Sequence, residues 1–301
     1  MLGIAYSQKV LKTTTPAIFN GWNSTDINSV NATISYDGLF ADEKKTSSSG
    51  LEWPKGSKKT AVFTSGLWII GKHRPSGSLR TAVMNYQSEY QPGKILTQFN
   101  TTTNDSNAAD DPSKPEYRLY KITRGIKGTD YTNWPAALGA PFHDVNNNGV
   151  WDPGIDDPLR WGDQQLWTVS NDAKYSQHQI IGKTNPLGIE LQSTFFAFHS
   201  PGVADNTVFI RYKIINKSDA DYDSLYMSYF SDTDLGDAND DMSGVDTVRR
   251  LAYTYNGDND DTGAHGYGSK PPANGFMLLQ GPMVFTGNTN DTARIEGKIK
   301  I

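Results

Sequence analysis

Residues 188–232 decide the fold and read GIELQSTFFAFHSPGVADNTVFIRYKIINKSDADYDSLYMSYFSD. Three segments of this stretch alternate between apolar and polar residues, which is the pattern of β-strands with one buried face. In the second segment, Val208, Ile210, Tyr212 and Ile214 share one face. Turn-forming residues separate the three segments. The spacing predicts three consecutive antiparallel strands that form a meander within a β-sandwich.

The composition agrees with a strand-rich fold. The 301 residues include 28 Gly, 15 Pro and 22 Asn, and the acidic residues divide into 27 Asp and 6 Glu. Asp, Asn and Gly favour turns, whereas Glu favours helices. No segment has the apolar period of a helix of ten or more residues. The sequence therefore predicts an all-β, antiparallel β-sandwich-like protein with long loops.

The charge and the cysteine count exclude several classes of function. The 28 basic residues against 33 acidic residues leave no basic footprint for nucleic acid. The absence of Cys excludes disulfides, Cys-ligated zinc and a thiol nucleophile. No apolar run has the length of a transmembrane segment.

The domain organisation follows from shifts in composition along the chain. Residues 1–8 are typical of the remnant of a signal peptide, and an ordinary N-terminus is the alternative. Residues 9–58 are polar and are expected to be loosely structured. Residues 59–301 are expected to form the β-sandwich-like region, with a loop-rich insert at 128–163. Residues 293–301 alternate as a strand with no polar tail after it, which predicts a chain truncated at its C-terminus.

Residues 144–157, DVNNNGVWDPGIDD, resemble the first part of an EF-hand calcium loop. Gly149 stands at loop position six, where a sharp turn lets the ligand oxygens converge. Position twelve is Ile155, so the closing carboxylate must come one or two residues later, and no helix flanks the loop. The predicted calcium ligands are the side chains of Asp144, Asn146, Asn148 and Asp152, the carbonyl of Val150, and Asp156 or Asp157. The alternative is an Asn/Gly turn whose side chains bond to its own backbone.

A second acidic run, SDTDLGDANDDMSGVD at 231–246, follows the third predicted strand. Such a density of carboxylates is self-repelling unless a cation is bound. The alternative is a solvated loop. A third acidic run, at 256–266, is expected to be a solvated loop only. The predicted metal ligands of the second run are Asp232, Asp234, Asp237, Asp240 and Asp241.

The sequence contains no recognisable catalytic motif. It lacks GxSxG, HExxH and a phosphate-binding glycine loop. The five His residues are scattered, and His143 beside Asp144 is expected to be structural. No catalytic residue is therefore predicted. The four Trp residues near the 144–157 loop are expected to be core or loop-anchoring residues, with a sugar-stacking surface as the alternative: Trp134, Trp151, Trp161 and Trp167.

Several segments carry a resemblance to a known group of proteins. LEWPKGSKKTAVFTSGLWIIGK, NWPAALGAPFHDVNNNGVWDPGIDDP and YFSDTDLGDANDDMSGVDT are among them. They resemble the N-terminal region of large, mostly uncharacterised secreted proteins of Bacteroidota and Ignavibacteria that are exported by type IX secretion. The resemblance covers residues 35–285. It implies a location at the cell surface or in the medium, and it implies no reaction.

These observations predict a secreted or cell-surface β protein that calcium stabilises. Its expected role is binding, adhesion or scaffolding, with a glycan or a surface protein as partner. The alternative is a secreted hydrolase that acts on polysaccharide. A hydrolase would need a cleft with paired carboxylates that no cation occupies.

Overall fold

A computed structural model describes residues 21–43, 48–282, 293–295 and 298–300 of the chain. Strands make up 42% and helices 8%, which confirms the predicted all-β class. In chain order the strands are β1 (Trp22–Thr25), β2 (Asn31–Ser35), β3 (Asp42–Glu43), β4 (Ser48–Ser49), β5 (Leu51–Glu52), β6 (Thr60–Val62), β7 (Thr64–His73), β8 (Leu79–Ala82), β9 (Gln91–Pro92), β10 (Tyr120–Thr123), β11 (Phe142–His143), β12 (Asp157–Pro158), β13 (Gln164–Asn171), β14 (Ile189–Ala197), β15 (Val208–Asn216), β16 (Tyr222–Asp232), β17 (Asp241–Asp246), β18 (Leu251–Asn256), β19 (Ala273–Met277), β20 (Ala293–Ile295) and β21 (Lys298–Lys300).

Helices are short throughout the described ranges. The two α-helices, α1 (Thr129–Thr132) and α2 (Tyr175–His178), have four residues each. Four 3₁₀ turns accompany them, at Ser106–Ala108, Ala136–Leu138, Val203–Asn206 and Ala238–Asp240. None of the helices in this part of the chain has the length and apolarity that a membrane span requires.

The central layer is an antiparallel sheet of order β10–β13–β14–β15, with β9 also paired to β13. Its strands are long because their residues are β-branched or aromatic and fit a pleated surface. All eight residues of β13 are buried, so both faces of this strand are covered. Successive side chains of a strand point to opposite faces. The sheet is therefore covered on both faces at β13.

The main core lies on one side of this sheet. Two neighbouring sheets, of order β1–β2–β5–β6 and β16–β7–β8, form the opposing layer. Phe40 stacks on Phe195 of β14 with 6.0 Å between ring centroids, and Ile34 and Leu166 are buried beside them. Burying a side chain of this size contributes about 1.5–3 kcal/mol. Facing sheets around one apolar core fit the predicted antiparallel β-sandwich-like fold.

The predicted three-strand meander is wrong in its last strand. The first two segments pair as β14 and β15, but β16 pairs with β7 in the opposing layer. Tyr212 and Ile214 of β15 and Met227 of β16 pack against the same core cluster from the two layers. Alternation of apolar residues identifies the buried face of a strand and leaves its partner open.

The expectation of a loosely structured segment at 9–58 is wrong for its described part. Residues 22–52 supply strands to the opposing layer, and Ala32 and Ile34 are fully buried. The small apolar residues of β2 alternate with Asn and Thr, so the polar composition hid the strand. The predicted signal-peptide remnant at 1–8 lies outside the described residues.

The insert at 128–163 covers the outer face of the central sheet. It contains α1, a 3₁₀ turn and the two-residue pair β11–β12. Trp134 packs on Trp167 of β13 with 6.4 Å between ring centroids, and both are buried. The insert therefore forms a third layer that is anchored by aromatic residues.

The C-terminal part forms a three-stranded antiparallel sheet of order β17–β18–β19. It rests on the opposing layer, where Asn274 donates a hydrogen bond to the carbonyl of Ala61 at 3.0 Å. Further along, β20 pairs with β21 as an antiparallel hairpin. The single strand predicted for 293–301 is therefore wrong in the described residues.

Candidate functional site

The loop at 144–157 joins β11 to β12, where His143 pairs with Asp157. Asp144 accepts hydrogen bonds from the backbone N–H of Asn148 at 3.2 Å and of Gly149 at 2.7 Å. Gly149 has φ +77°, a left-handed conformation that favours glycine. The turn that the sequence predicted at this glycine is therefore present.

The amide side chains of the loop bond to the loop itself. Asn146 and Asn148 donate from Nδ2 to Oδ2 of Asp152, at 2.8 Å and 2.6 Å. Oδ1 of Asn148 accepts from the N–H of Val150 at 2.8 Å. These contacts match the self-bonded Asn/Gly turn that the sequence left open as the alternative.

The two candidates for the closing carboxylate differ in position. Asp156 is 1% exposed and accepts from the N–H groups of Val145 at 2.9 Å and Asp152 at 2.8 Å. Asp157 turns away, because Tyr131 donates a hydrogen bond to it and Lys127 Nζ lies 3.7 Å from it. Asp156 is therefore the carboxylate that closes the loop, and Asp157 is not part of it.

The chemistry of this donor set suits calcium, which prefers carboxylate and carbonyl oxygens. Within the described ranges, however, no group of three Asp, Glu or His residues is placed to hold a metal ion. A cation at the loop would need amide and backbone oxygens in addition, and Asn146 and Asn148 would have to turn their oxygens inward. Calcium at 144–157 stays a prediction.

The second acidic run is divided between several structural roles. Asp232, at the end of β16, accepts from the hydroxyl of Tyr86 at 2.8 Å. Asp237 caps the 3₁₀ turn and accepts from the N–H of Asn239 at 3.2 Å. These two predicted ligands therefore have protein partners of their own.

The remaining predicted ligands of this run lie in a strongly negative environment. Burial raises the pKa of Asp234 to about 6, and neighbouring Asp232 and Asp241 raise it further. Burial also raises the pKa of Asp241 to about 6, and Asp240 is among the carboxylates that add to this. The N–H of Leu235 donates a hydrogen bond to Oδ2 of Asp241 at 2.9 Å, and this bond lowers the pKa of Asp241.

The third acidic run folds back onto the second, so the expectation that it is only a solvated loop is wrong. Asp261 is 1% exposed and accepts from the N–H groups of Asp237 at 2.9 Å and Tyr267 at 2.8 Å. Gly236 permits this approach, because a Cβ there would overlap the Asp261 carboxylate. Asn256 is 6% exposed at the end of β18.

Of the four Trp residues, Trp134 and Trp167 are core residues, and Trp151 packs edge-on against Phe142. Their predicted core or anchoring role is confirmed. Trp161 differs, because it is only half-buried and Arg211 lies over its ring at 4.7 Å.

A surface that the sequence argument missed surrounds Trp161. We call it the aromatic patch, and it consists of Trp161, Phe196, Phe198, Phe209 and Arg211. Phe196 and Phe209 stack across β14 and β15 with 5.2 Å between centroids, and Phe198 meets Phe209 at 5.6 Å. The four aromatic rings are half-buried and Arg211 is exposed. The signal was present in the sequence, because Phe209 and Arg211 lie on the face of β15 opposite to its core residues.

A second cluster that the sequence argument missed is fully buried. His178 of α2 has Nδ1 3.3 Å from Oε2 of Glu89 and Nε2 3.6 Å from Oδ2 of Asp172. Burial raises the pKa of Glu89 and of Asp172 to about 7 and lowers the pKa of His178 to about 4. The distances would suit ion pairs, but burial opposes charge on all three groups. We therefore interpret the cluster as a neutral, structural network without access to substrate.

Two cavities in the described part of the chain bear on catalysis. One, of about 260 Å³, lies between β16 and the C-terminal sheet, and no carboxylate lines it. The other, of about 330 Å³, is lined by Asp219 and Asp221. Asp219 accepts from Thr101 Oγ1 at 2.6 Å, and Asp221 pairs with Arg74 at 2.8 Å. Neither cavity holds a free pair of carboxylates.

His143 is exposed at the end of β11. Asp144 beside it bonds to the loop backbone. The neighbourhood in sequence therefore does not create an acid–base pair in the structure.

Comparison with known proteins gave no match: no protein-family model, no curated protein and no solved structure resembles this chain significantly.

Proposed function

We propose that this chain is a secreted or cell-surface β protein that binds a glycan or a surface protein and is stabilised by calcium. The aromatic patch is the observation that carries the binding role. Flat apolar rings with an adjacent cation are suited to stack on sugar rings and to hydrogen-bond their hydroxyl groups. A glycan is therefore the first partner to test.

The patch is built to present a fixed surface. Its rings belong to paired strands of the central sheet, and Phe196 is directly opposite Phe209. Thr194 and Arg211 are the next pair on the same face, two residues further along each strand. Because the sheet holds these side chains in place, binding costs little conformational entropy.

The two cavities support binding over hydrolysis. A glycosidase needs two carboxylates across a cleft. The carboxylates at the second cavity are engaged by Thr101 and Arg74, and the first cavity has none. These two cavities therefore give the hydrolase alternative no support.

The calcium part of the proposal concerns the loop at 144–157. Asp144, Asn146, Asn148, Asp152 and Asp156 would hold the ion, with the carbonyl of Val150. Calcium would supply a rigid link between β11 and β12. Export by type IX secretion in a member of the Bacteroidota or Ignavibacteria is proposed on the sequence resemblance alone.

The binding role is tested by affinity gel electrophoresis against a panel of soluble polysaccharides in 10 mM calcium. We expect at least one polysaccharide to retard the protein, and we expect Trp161→Ala and Phe209→Ala to abolish the retardation. Tyr226→Ala is the matched control, because Tyr226 is 70% exposed and lies outside the patch. Equal retardation of wild type and Trp161→Ala would contradict the role of the patch. Polysaccharide turnover that survives chelation would favour the hydrolase instead.

A further inference from the structure

Three buried oxygen atoms at one end of the C-terminal sheet have no hydrogen-bond donor. They are Oδ1 of Asp240, Oδ1 of Asp241 and Oδ1 of Asn256, and we call these residues the Asp241 cluster. An acceptor that is removed from water and left without a donor costs about 1–3 kcal/mol. Water or a cation therefore has to satisfy each of these acceptors.

The strand register places two of these three side chains on one face. Asp241 of β17 is directly opposite Asn256 of β18, so both side chains leave the same face of the sheet. Asp240 precedes Asp241, and its carbonyl accepts from the N–H of Gly257 at 2.8 Å. Asn256 is 6% exposed, and its Nδ2 is directed to the carbonyl of Asp258 at 3.2 Å. Its amide nitrogen is thus not available as a donor to the two carboxylates.

The surroundings are negative among the described residues. The carboxylates of Asp237 and Asp261 lie close enough to Asp241 to raise its pKa by charge repulsion. None of the ion pairs between described residues involves Asp240, Asp241 or these neighbours. Asp246, on the same strand as Asp241, is paired with Arg249 at 2.5 Å. Within one strand, Asp246 therefore has a described cationic partner and Asp241 has none.

We propose that Asp240, Asp241 and Asn256 form a divalent-cation site that ties β17 and β18 to the loop after β16. The site joins the second and third acidic runs, and Asn256 is a ligand that the sequence argument did not include. The proposal rests on the calcium part of the proposed function for the identity of the ion and is independent of the aromatic patch.

Calcium fits this donor set best. Carboxylate and amide oxygens are hard ligands, and calcium accepts six to eight of them in flexible geometry with water completing the shell. Magnesium demands a near-ideal octahedron and keeps most of its water. The cluster contains two carboxylates and one amide, and among the described residues no third acidic or His side chain is placed to hold the same ion.

Isothermal titration calorimetry of the full chain with calcium chloride tests the proposal. Asp241→Asn keeps the shape and removes the charge, and we expect it to weaken one calcium-binding event at least tenfold. Asn256→Ala should weaken the same event, and Asn256→Asp should strengthen it because a carboxylate replaces the amide. Asp246→Asn is the matched control and should leave calcium affinity unchanged.

The Asp144→Ala variant separates this site from the loop at 144–157. It should abolish the loop's binding event and leave the event that depends on Asp241. Loss of all binding in Asp144→Ala would overturn the site at the Asp241 cluster while sparing calcium at the loop. If water satisfies the three oxygens instead of a cation, Asp241→Asn and wild type will show identical calcium isotherms. This result would overturn the proposal.

Discussion

The loop at 144–157 and the Asp241 cluster are both acidic, and they satisfy their oxygens in opposite ways. Asp144, Asp152 and Asp156 of the loop accept hydrogen bonds from the loop's own N–H and amide groups. In the Asp241 cluster, three buried oxygens have no donor. A calcium-like spacing therefore does not identify the place where a cation is most needed.

The difference has a simple physical origin. The pattern DxNxNG places Asn and Gly, which are strong turn formers, between the carboxylates, so that their N–H groups reach back to the Asp side chains. The residues of the Asp241 cluster come instead from β17, β18 and the 3₁₀ turn before β17, and the strand N–H groups donate within the ladder. The first region can fold without an ion, and the second carries a repulsion that an ion would remove.

The buried carboxylates Glu89 and Asp172 provide the reference case, because backbone N–H groups donate to both. Between pH 4.5 and 7, folded Glu89 keeps the proton that unfolded Glu has lost, because its pKa is about 7 instead of 4.5. Stability from this group is present below pH 4.5 and is lost as pH rises through 7. Asp172 changes the stability in the same direction, because its pKa rises from 3.8 to about 7 on folding.

His178 acts in the opposite direction, because its pKa falls from 6.5 to about 4 and folding loses its proton. Two carboxylates outweigh one His, so we expect this network alone to lower the free energy of unfolding by about 3 kcal/mol between pH 5 and pH 8. Glu89→Gln should remove most of this decrease, because Gln is the neutral isostere. Urea unfolding of wild type and Glu89→Gln at pH 5 and pH 8 measures the change in unfolding free energy. Parallel pH profiles for the two proteins would contradict a neutral network.

Stabilisation by calcium is the next largest expected effect. Measuring it in variants of each acidic region compares the two regions directly. With a Kd of about 10⁻⁴ M, 10 mM calcium would stabilise the fold by about 2.7 kcal/mol per site. Calorimetric melting with calcium and with excess chelator measures the sum. Asp144→Ala and Asp152→Ala should remove the calcium-dependent stabilisation that the loop at 144–157 contributes. Asp241→Asn should remove the stabilisation that the Asp241 cluster contributes. An unchanged melting curve in chelator would refute both sites.

Asp156→Ala probes the self-bonding of the loop. The buried carboxylate accepts from two N–H groups, which would lose their acceptor, so we expect a loss of about 2 kcal/mol in unfolding free energy in chelator, where no calcium is bound. Asp157→Ala is the control and should cost less than about 1 kcal/mol, because Asp157 is exposed. Denaturant unfolding in chelator gives both values. Equal losses for the two variants would contradict the distinction between them.

The sequence predicted the local elements better than their partners. Alternation identified the strands at 189–197 and 208–216, and it also identified 222–232 as a strand. It could not show that 222–232 pairs with β7, because pairing depends on which apolar face completes the core. It also missed β2, where Asn and Thr alternate with Ala32 and Ile34 and lower the mean hydropathy of the segment.

The candidate sites show the same limit. The loop at 144–157 is local in sequence, so its turn at Gly149 was predictable. Asn256 is separated from Asp241 by a strand and a turn, and only the register of β17 and β18 shows that they are opposite. The aromatic patch required knowledge that the outer face of β14 and β15 remains partly open near Trp161.

His143→Ala should have the smallest effect on stability. This variant tests whether a His beside the acidic loop has a role in calcium binding or catalysis. His143 is exposed and pairs with Asp157 through the backbone ladder of β11 and β12, which alanine preserves. We therefore expect a change below about 0.5 kcal/mol in unfolding free energy and no change in calcium affinity. Tyr131→Ala is a contrasting variant, because it removes the donor to Asp157. A hydrolytic activity that disappears in His143→Ala while the melting temperature is preserved would make the loop catalytic and contradict the proposed binding role.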